Sequence, residues 1–288
     1  MSSKKEFENI LIVGIGLIGG SIAKKIKDNC FSGNVYGFEK NTEALKEAYQ
    51  KGLIANDEHI DLKDSENLLV IFCVPVLAFK QALDSVLKYL PSKDIVFTDT
   101  LSTKTKIYSI LSTEFENVLE NFVLSHPIAG SEKSTLEHSN KDLFDGRVVV
   151  ISPHKQNNQN HIDQVINFWR LLGSTEKLLS PKDHDLLFSK TSHLPHVISY
   201  SLTESLFNSL GDRTFDFSGG SLEDYTRIAS SDPIMWKDIL ISNNQNVLDS
   251  IEEFEESLSF LKNLIKNQDE KALVDFFTRV KALRDNSV

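Results

Sequence analysis

Short apolar runs recur through the first 178 residues, and most are followed by a stretch with helical spacing. Asn9 to Gly14 (NILIVG) is apolar and β-branched, and Ser21 to Ile26 behind it has helical periodicity. Val35 to Glu39 is a second short run. Leu68 to Pro75 (LLVIFCVP) is continuously apolar, as a strand covered on both faces would be. Phe79, Leu83, Val86, Leu87 and Leu90 then mark a helix that Pro91 stops. Asp94 to Asp99 predicts a strand, followed by a loop over 100–104 and a helix to about Phe115. Asn121 to His126 and Arg147 to Pro153 are further strands, and Ile162 to Leu172 is a helix closed by Gly173. This alternation predicts a doubly wound parallel sheet of the Rossmann type. Gly14, Glu39, Pro75, Asp99 and His126 then fall at carboxyl ends of strands, where open α/β sheets bind ligands.

From about Leu179 the pattern is helical only. Ser180-Pro181-Lys182-Asp183 is an N-terminal cap sequence, and the helix it opens runs toward Leu210 with a kink near Pro195. The segment Phe217-Ser218-Gly219-Gly220-Ser221 leads into Asp224-Tyr225-Thr226-Arg227, and Asp232-Pro233 opens another helix. Val247, Ile251, Phe254, Leu258, Leu261 and Ile265 form one apolar stripe, opposite a face of glutamates. A last helix spans about Asp269 to Arg284. These patterns place an α/β domain at 1–178 and an all-α domain at 179–288, whose stripe is expected to pack across a symmetric homodimer.

Composition narrows the function. The 288 residues are 40% hydrophobic and 25% charged, an ordinary globular balance. A formal net charge of −10 argues against nucleic acid or an anionic membrane as partner. The two cysteines, Cys30 and Cys73, stand in no metal-ligand spacing, and Cys73 lies inside an apolar run. Lys4 and Lys5 before an apolar run superficially suggest a secretory leader, but the run is studded with glycines and preceded by Glu6 and Glu8. The expected location is therefore the cytoplasm.

Gly14-Ile15-Gly16-Leu17-Ile18-Gly19 is a G-x-G-x-x-G pattern between a predicted strand and helix. The backbone from Gly14 through Gly16, Leu17, Ile18 and Gly19 is the candidate cradle for a pyrophosphate. Glu39 follows about twenty residues on, as an acid that accepts ribose hydroxyls and repels a 2′-phosphate would. A solvated loop acid is its bland alternative. The cofactor expected is NAD, lined also by Pro75 and Asp99.

An NAD site with a histidine at a strand exit suggests a dehydrogenase, in which the histidine takes a hydroxyl proton. Of eight histidines, His126 has that position. His138, His154 and His161 read as surface residues, and His59 and His184 have no supporting context. His193 and His196 flank Leu194-Pro195, where a kink could turn one into a pocket. Arg227 reads either as a pocket arginine for a carboxylate or as a surface partner of Asp224 or Glu223. Trp236 reads as a core anchor or a substrate wall.

Together these segments resemble the prephenate dehydrogenase family over nearly the whole chain. The carriers are Val13 to Ser21, Ser125-His126-Pro127-Ile128-Ala129-Gly130-Ser131-Glu132-Lys133-Ser134, Ser192-His193-Leu194-Pro195-His196, and Asp224-Tyr225-Thr226-Arg227-Ile228-Ala229 with Ser231-Asp232-Pro233-Ile234-Met235-Trp236. The first is common among NAD enzymes; the others, in this order, are specific. The resemblance implies NAD-dependent oxidative decarboxylation of prephenate to 4-hydroxyphenylpyruvate, in tyrosine biosynthesis. It makes His126 the catalytic histidine at the substrate ring hydroxyl, with Ser102 bonding near it and the nicotinamide. His196 becomes a substrate-pocket histidine and Arg227 a carboxylate clamp. Asp224, Gly220 and Trp236 shape the pocket across the dimer, and Glu132 stands near its entrance.

The chain departs from the family pattern at Leu101 and Thr135, where glycine is usual, at Ser221 in the glycine loop, and at Glu39 in place of aspartate. Rival readings are an arogenate or dual-specificity cyclohexadienyl dehydrogenase, a β-hydroxyacid dehydrogenase, and a non-catalytic NAD sensor. The second would need a catalytic lysine in the helical half, and no such motif stands out.

Overall fold

The computed structural model describes residues 7–58, 60–130, 133, 135–216 and 219–287. In chain order the regular elements begin with β1 (Asn9–Val13), α1 (Leu17–Asp28), β2 (Asn34–Phe38), α2 (Thr42–Gln50), β3 (Leu68–Phe72) and α3 (Phe79–Leu87). Then come β4 (Ile95–Asp99), α4 (Thr105–Glu114), α5 (Glu116–Leu119), β5 (Phe122–Pro127), β6 (Val148–Ser152), α6 (Gln159–Leu171) and β7 (Thr175–Leu178). The helical half holds α7 (Pro181–Phe188), a π-helical turn (Ser189–His193), α8 (Leu194–Leu210), α9 (Gly220–Thr226), α10 (Pro233–Ser242), α11 (Asn244–Lys266) and α12 (Glu270–Asp285).

The seven strands form one sheet in the order β2-β1-β3-β4-β5-β6-β7. β3 and β4 are buried along their whole length, which accounts for their unbroken apolar sequence. Two apolar cores lie on opposite faces of the sheet. Ile10, Ile12 and Ile71 pack with α1 and α6 residues on one side. Leu11, Val13, Val70 and Phe72 pack with α3 and α4 residues on the other. Alternate residues of each strand thus feed alternate faces.

The sheet departs from an all-parallel pattern at one place. β6 runs antiparallel to β5, pairing His126 with Val150. Among its described residues the connection between them carries a single 3₁₀ turn, at Leu136–His138, and none of the crossover helix that a parallel neighbour requires. β7, absent from the sequence reading, adds a parallel edge to β6. Its sequence TEKL is polar and exposed, and carries no strand signal.

Cap chemistry follows the sequence. Ser180 Oγ accepts the Asp183 N–H at 3.1 Å, and Asp232 Oδ1 accepts Ile234 and Met235 N–H at 2.9 Å each. By packing, the chain divides into Met1–Asn243 and Asn244–Val288, later than the pattern change near Leu179, because α7 and α10 contact the elements around the sheet. In the second unit α11 and α12 pack on each other, and Phe260 meets Phe276 at 6.0 Å between ring centroids. Among the described residues, no helix is long and apolar enough to cross a membrane.

Candidate active site

The carboxyl ends of β1 to β5 assemble the site. At the first, Gly14 has φ +97°, and a Cβ there would meet the Cys73 carbonyl oxygen at 2.5 Å. A Cβ on Gly19 would meet the Gly14 carbonyl oxygen at 2.1 Å, so α1 approaches the turn only because both are glycine. The N-cap of α1, Gly16, has no side-chain cap, and no acid lies in the first turn. The amides of Leu17, Ile18 and Gly19 therefore keep their donors for an anion. Glu39 stands beside this turn: Oε2 accepts Ile15 N–H at 2.9 Å and Oε1 accepts Asn41 N–H at 3.0 Å. Pro75 is exposed and opens the turn after β3. An uncapped helix start, two glycines that admit close approach and an acid held at the β2 exit fit a dinucleotide.

Asp99 departs from its expected role of lining the cofactor. Its side chain is fully buried and turned inward. Oδ1 accepts Ser125 N–H at 3.0 Å, Oδ2 accepts Leu101 N–H at 3.1 Å, and Lys104 Nζ pairs with Oδ2. Lys104, itself fully buried, also donates to the Ser125 carbonyl at 2.6 Å. Burial pushes Asp99 up and Lys104 down from their ordinary values, and their contact opposes both shifts. The pair clamps the loop at 100–104 to the residue before His126. Leu101, where the family has glycine, is buried in the core beside β3 and β4.

His126 is half-buried at the tip of β5. Its Nδ1 lies 2.9 Å from His184 Nε2, and His184 Nδ1 lies 2.8 Å from Asp185 Oδ1. An ionised carboxylate only accepts, so His184 carries its proton on Nδ1 and accepts on Nε2. His126 then donates from Nδ1, which leaves a lone pair on its Nε2. Asp185 is anchored in turn by Lys104 N–H at 2.7 Å and Thr105 N–H at 2.9 Å. Burial works against the charge of Asp185, yet the hydrogen bonds from His184 and these amides hold it below the usual carboxylate range. Burial, then His184, Lys104 and His193, holds His126 well below the ordinary histidine value. Neutral pH therefore finds a neutral imidazole of defined tautomer.

His184 was without context in the sequence, and it proves to be the residue that orients His126. The signal for it was positional: it sits one turn into a helix that starts just past the sheet. Phe188, one turn further, packs against both rings, at 5.1 Å from His126 and 4.5 Å from His184. His193 and Asn243 are in contact at 3.2 Å, and Asn243 also donates to the Asp185 carbonyl at 2.8 Å. His154, expected at the surface, is half-buried, with its Nε2 3.0 Å from the Phe122 carbonyl.

Beyond this center, Trp236 is buried and stacks on His196 at 3.6 Å between ring centroids. His196 Nδ1 donates to the Ser192 carbonyl at 3.0 Å, so its Nε2 is the acceptor. Ser102 is half-buried in the loop after β4, and no hydrogen bond joins it to His126 among the described residues. Gly220, Asp224 and Arg227 are exposed. None of the ion pairs among the described residues holds Arg227, so the surface pairing with Asp224 or Glu223 is not formed. A Cβ on Gly219 or Gly220 would meet nothing within 4 Å, so this chain alone does not demand glycine there. Glu132 lies outside the described residues.

Residues 22–177 match the prephenate dehydrogenase nucleotide-binding domain, and residues 180–279 match the prephenate dehydrogenase dimerization domain. The chain belongs to the prephenate dehydrogenase family. A cyclohexadienyl dehydrogenase from Zymomonas mobilis is 32% identical over 279 residues, 94% of this chain and 93% of that protein. A prephenate dehydrogenase from Bacillus subtilis is 30% identical over 96% of this chain and 76% of its own length. The crystal structure of prephenate dehydrogenase from A. aeolicus, in complex with hydroxyphenyl propionate and NAD+, superposes with a TM-score of 0.88 at 36% identity, covering 99% of each chain. The family's two parts meet at residues 177–180, where the hydrophobic pattern changes from alternating to helical.

Proposed function

We propose that this chain catalyses the NAD-dependent oxidative decarboxylation of prephenate to 4-hydroxyphenylpyruvate, with arogenate as the alternative substrate. The observation that carries this is the His126–His184–Asp185 chain at the β5 exit of the same sheet whose β1 exit opens into an uncapped glycine turn, in a member of this family. The amides at the start of α1 and the Glu39 carboxylate would hold the dinucleotide, and bound NAD supplies the hydride acceptor. His126 Nε2 accepts the hydrogen bond of the substrate hydroxyl and draws off its proton while the carbon beneath is oxidised. Loss of the ring carboxylate as carbon dioxide leaves an aromatic ring, which makes the step effectively irreversible.

The remaining assignments follow the same reading. Arg227 binds a substrate carboxylate, His196 and Trp236 form a wall, and Ser102 bonds near His126 and the nicotinamide. Gly220, Asp224 and Glu132 border the pocket, with α11 and α12 contributing to a homodimer. The α/β part over 1–178 carries the cofactor and the helical part over 179–288 the substrate. The two thiols are free, in keeping with a cytoplasmic enzyme. Crossing prephenate and arogenate with NAD and NADP, and following nicotinamide reduction, tests the proposal. Turnover of neither substrate with either cofactor would refute it.

A further inference from the structure

The helix that begins at Pro181 does not run regularly to Leu210. Between Phe188 and Leu194 it opens into a π-helical turn, in which Leu194 N–H donates to the Ser189 carbonyl five residues back. Pro195 follows immediately, at the second position of α8. In a regular α-helix the proline ring would press on the carbonyl four residues before it, that of Thr191. A widened turn relieves that contact, and single π-turns of this kind concentrate at functional sites.

The turn has a geometric consequence. His184 and His196 are twelve residues apart. At about 100° per residue, an unbroken α-helix would set them about 120° apart around the axis. One extra residue in a wide turn cuts the offset to about 20°. Upstream of the turn, His184 meets His126; downstream, His196 stacks on Trp236. His193, inside the turn, is buried between these groups and contacts Asn243.

We propose that the π-turn at Ser189–His193, enforced by Pro195, is a register device that puts the histidine orienting His126 and the substrate-pocket histidine His196 on one helix face. This rests on the dehydrogenase reading for the roles of the two histidines, whereas the register itself rests on geometry alone. Thr191 is exposed within the turn, and among the described residues its side chain does no more than donate to the Leu187 carbonyl. It is thus the position at which residue count and residue identity can be separated.

The test compares Thr191→Ala, insertion of one alanine after Thr191, and insertion of two. Thr191→Ala keeps the count and is expected to retain kcat/KM for prephenate within about twofold. The insertions turn α8 by about 100° and 200° against α7. Each is expected to lower kcat/KM at least a hundredfold, the scale set by misplacing a reacting partner by about an ångström. NAD affinity, measured by fluorescence titration, should stay within about threefold, because the glycine turn is remote in the chain. If the two-residue insertion does not fold, the one-residue insertion carries the comparison. A folded insertion variant that binds NAD and keeps kcat/KM within threefold overturns the proposal. A parent protein inactive on both prephenate and arogenate overturns the functional reading instead. The register is then read by crystallography of an insertion variant. Loss of either the His126–His184 contact or the His196–Trp236 stack supports it; survival of both refutes it.

Discussion

Replacing Lys104 by methionine removes a fully buried ammonium and leaves its partner Asp99 with an uncompensated charge at the base of the site. Asp99 keeps the Ser125 and Leu101 amides, at 3.0 and 3.1 Å, but these do not neutralise a carboxylate. The Ser125 carbonyl also loses its donor. Breaking a buried pair in this way costs about 3–5 kcal/mol, a large share of the ~5–15 kcal/mol that holds a domain folded. With a melting shift of roughly 2–4 °C per kcal/mol for chains of about this size, Tm should fall by around 10 °C. The double variant Asp99→Asn with Lys104→Met removes both charges and should recover at least about 1 kcal/mol of that loss. The sign of the pH dependence follows from linkage. In the single variant the native carboxyl is pushed above its unfolded value, so the native state binds more protons above about pH 4 and stability falls as pH rises. The gap to the parent protein is therefore wider at pH 8 than at pH 5. Urea unfolding of the three proteins at both pH values measures it. A double variant no more stable than the single, with a gap independent of pH, would refute the role given to this pair.

Arg227→Ala should raise the KM for prephenate roughly 10- to 150-fold with kcat little changed, as loss of a charged hydrogen bond outside the reacting center would; an effect confined to kcat argues against a carboxylate clamp. Burial lowers His193 from 6.5 to about 4. Below pH 6.5 the unfolded chain then takes up a proton the native state refuses, so stability falls between about pH 6.5 and 4 by roughly 3 kcal/mol. In His193→Asn that slope should diminish in urea titrations, and an unchanged slope would place the acid sensitivity elsewhere. Leu258, Ile265 and Leu283 are all more than half exposed on α11 and α12. Sedimentation at micromolar concentration should give twice the chain mass of 32.5 kDa, and a compact monomer would remove the homodimer.

The sheet was legible because buried parallel strands leave uninterrupted apolar runs, as Leu68 to Phe72 do. β7 was not, because an exposed edge of the composition TEKL has no periodicity to read. The antiparallel β6 was hidden for a related reason: direction depends on the connection, and the strand sequence itself does not encode it. Within the site, the glycine turn, Glu39 and His126 could be found from spacing. His184, Asp185 and Lys104 could not, since their roles come from contacts between residues 21 to 81 positions apart. Asp99 shows the limit of reasoning from strand ends. Its position was read correctly, but a lysine five residues away turned its carboxylate inward. Pro195 signals an irregular helix, whereas which histidines then share a face depends on the π-turn, which has no sequence signature of its own.

The account turns on His126 acting as a neutral base held by His184. Its most direct test is steady-state nicotinamide reduction with prephenate and NAD by the parent chain and by His126→Asn. Asparagine keeps a polar group of similar reach but cannot take the proton. Turnover should fall at least about a hundredfold, with NAD affinity unchanged because the glycine turn and Glu39 are untouched. A variant that turns over prephenate at the parent rate would contradict the account.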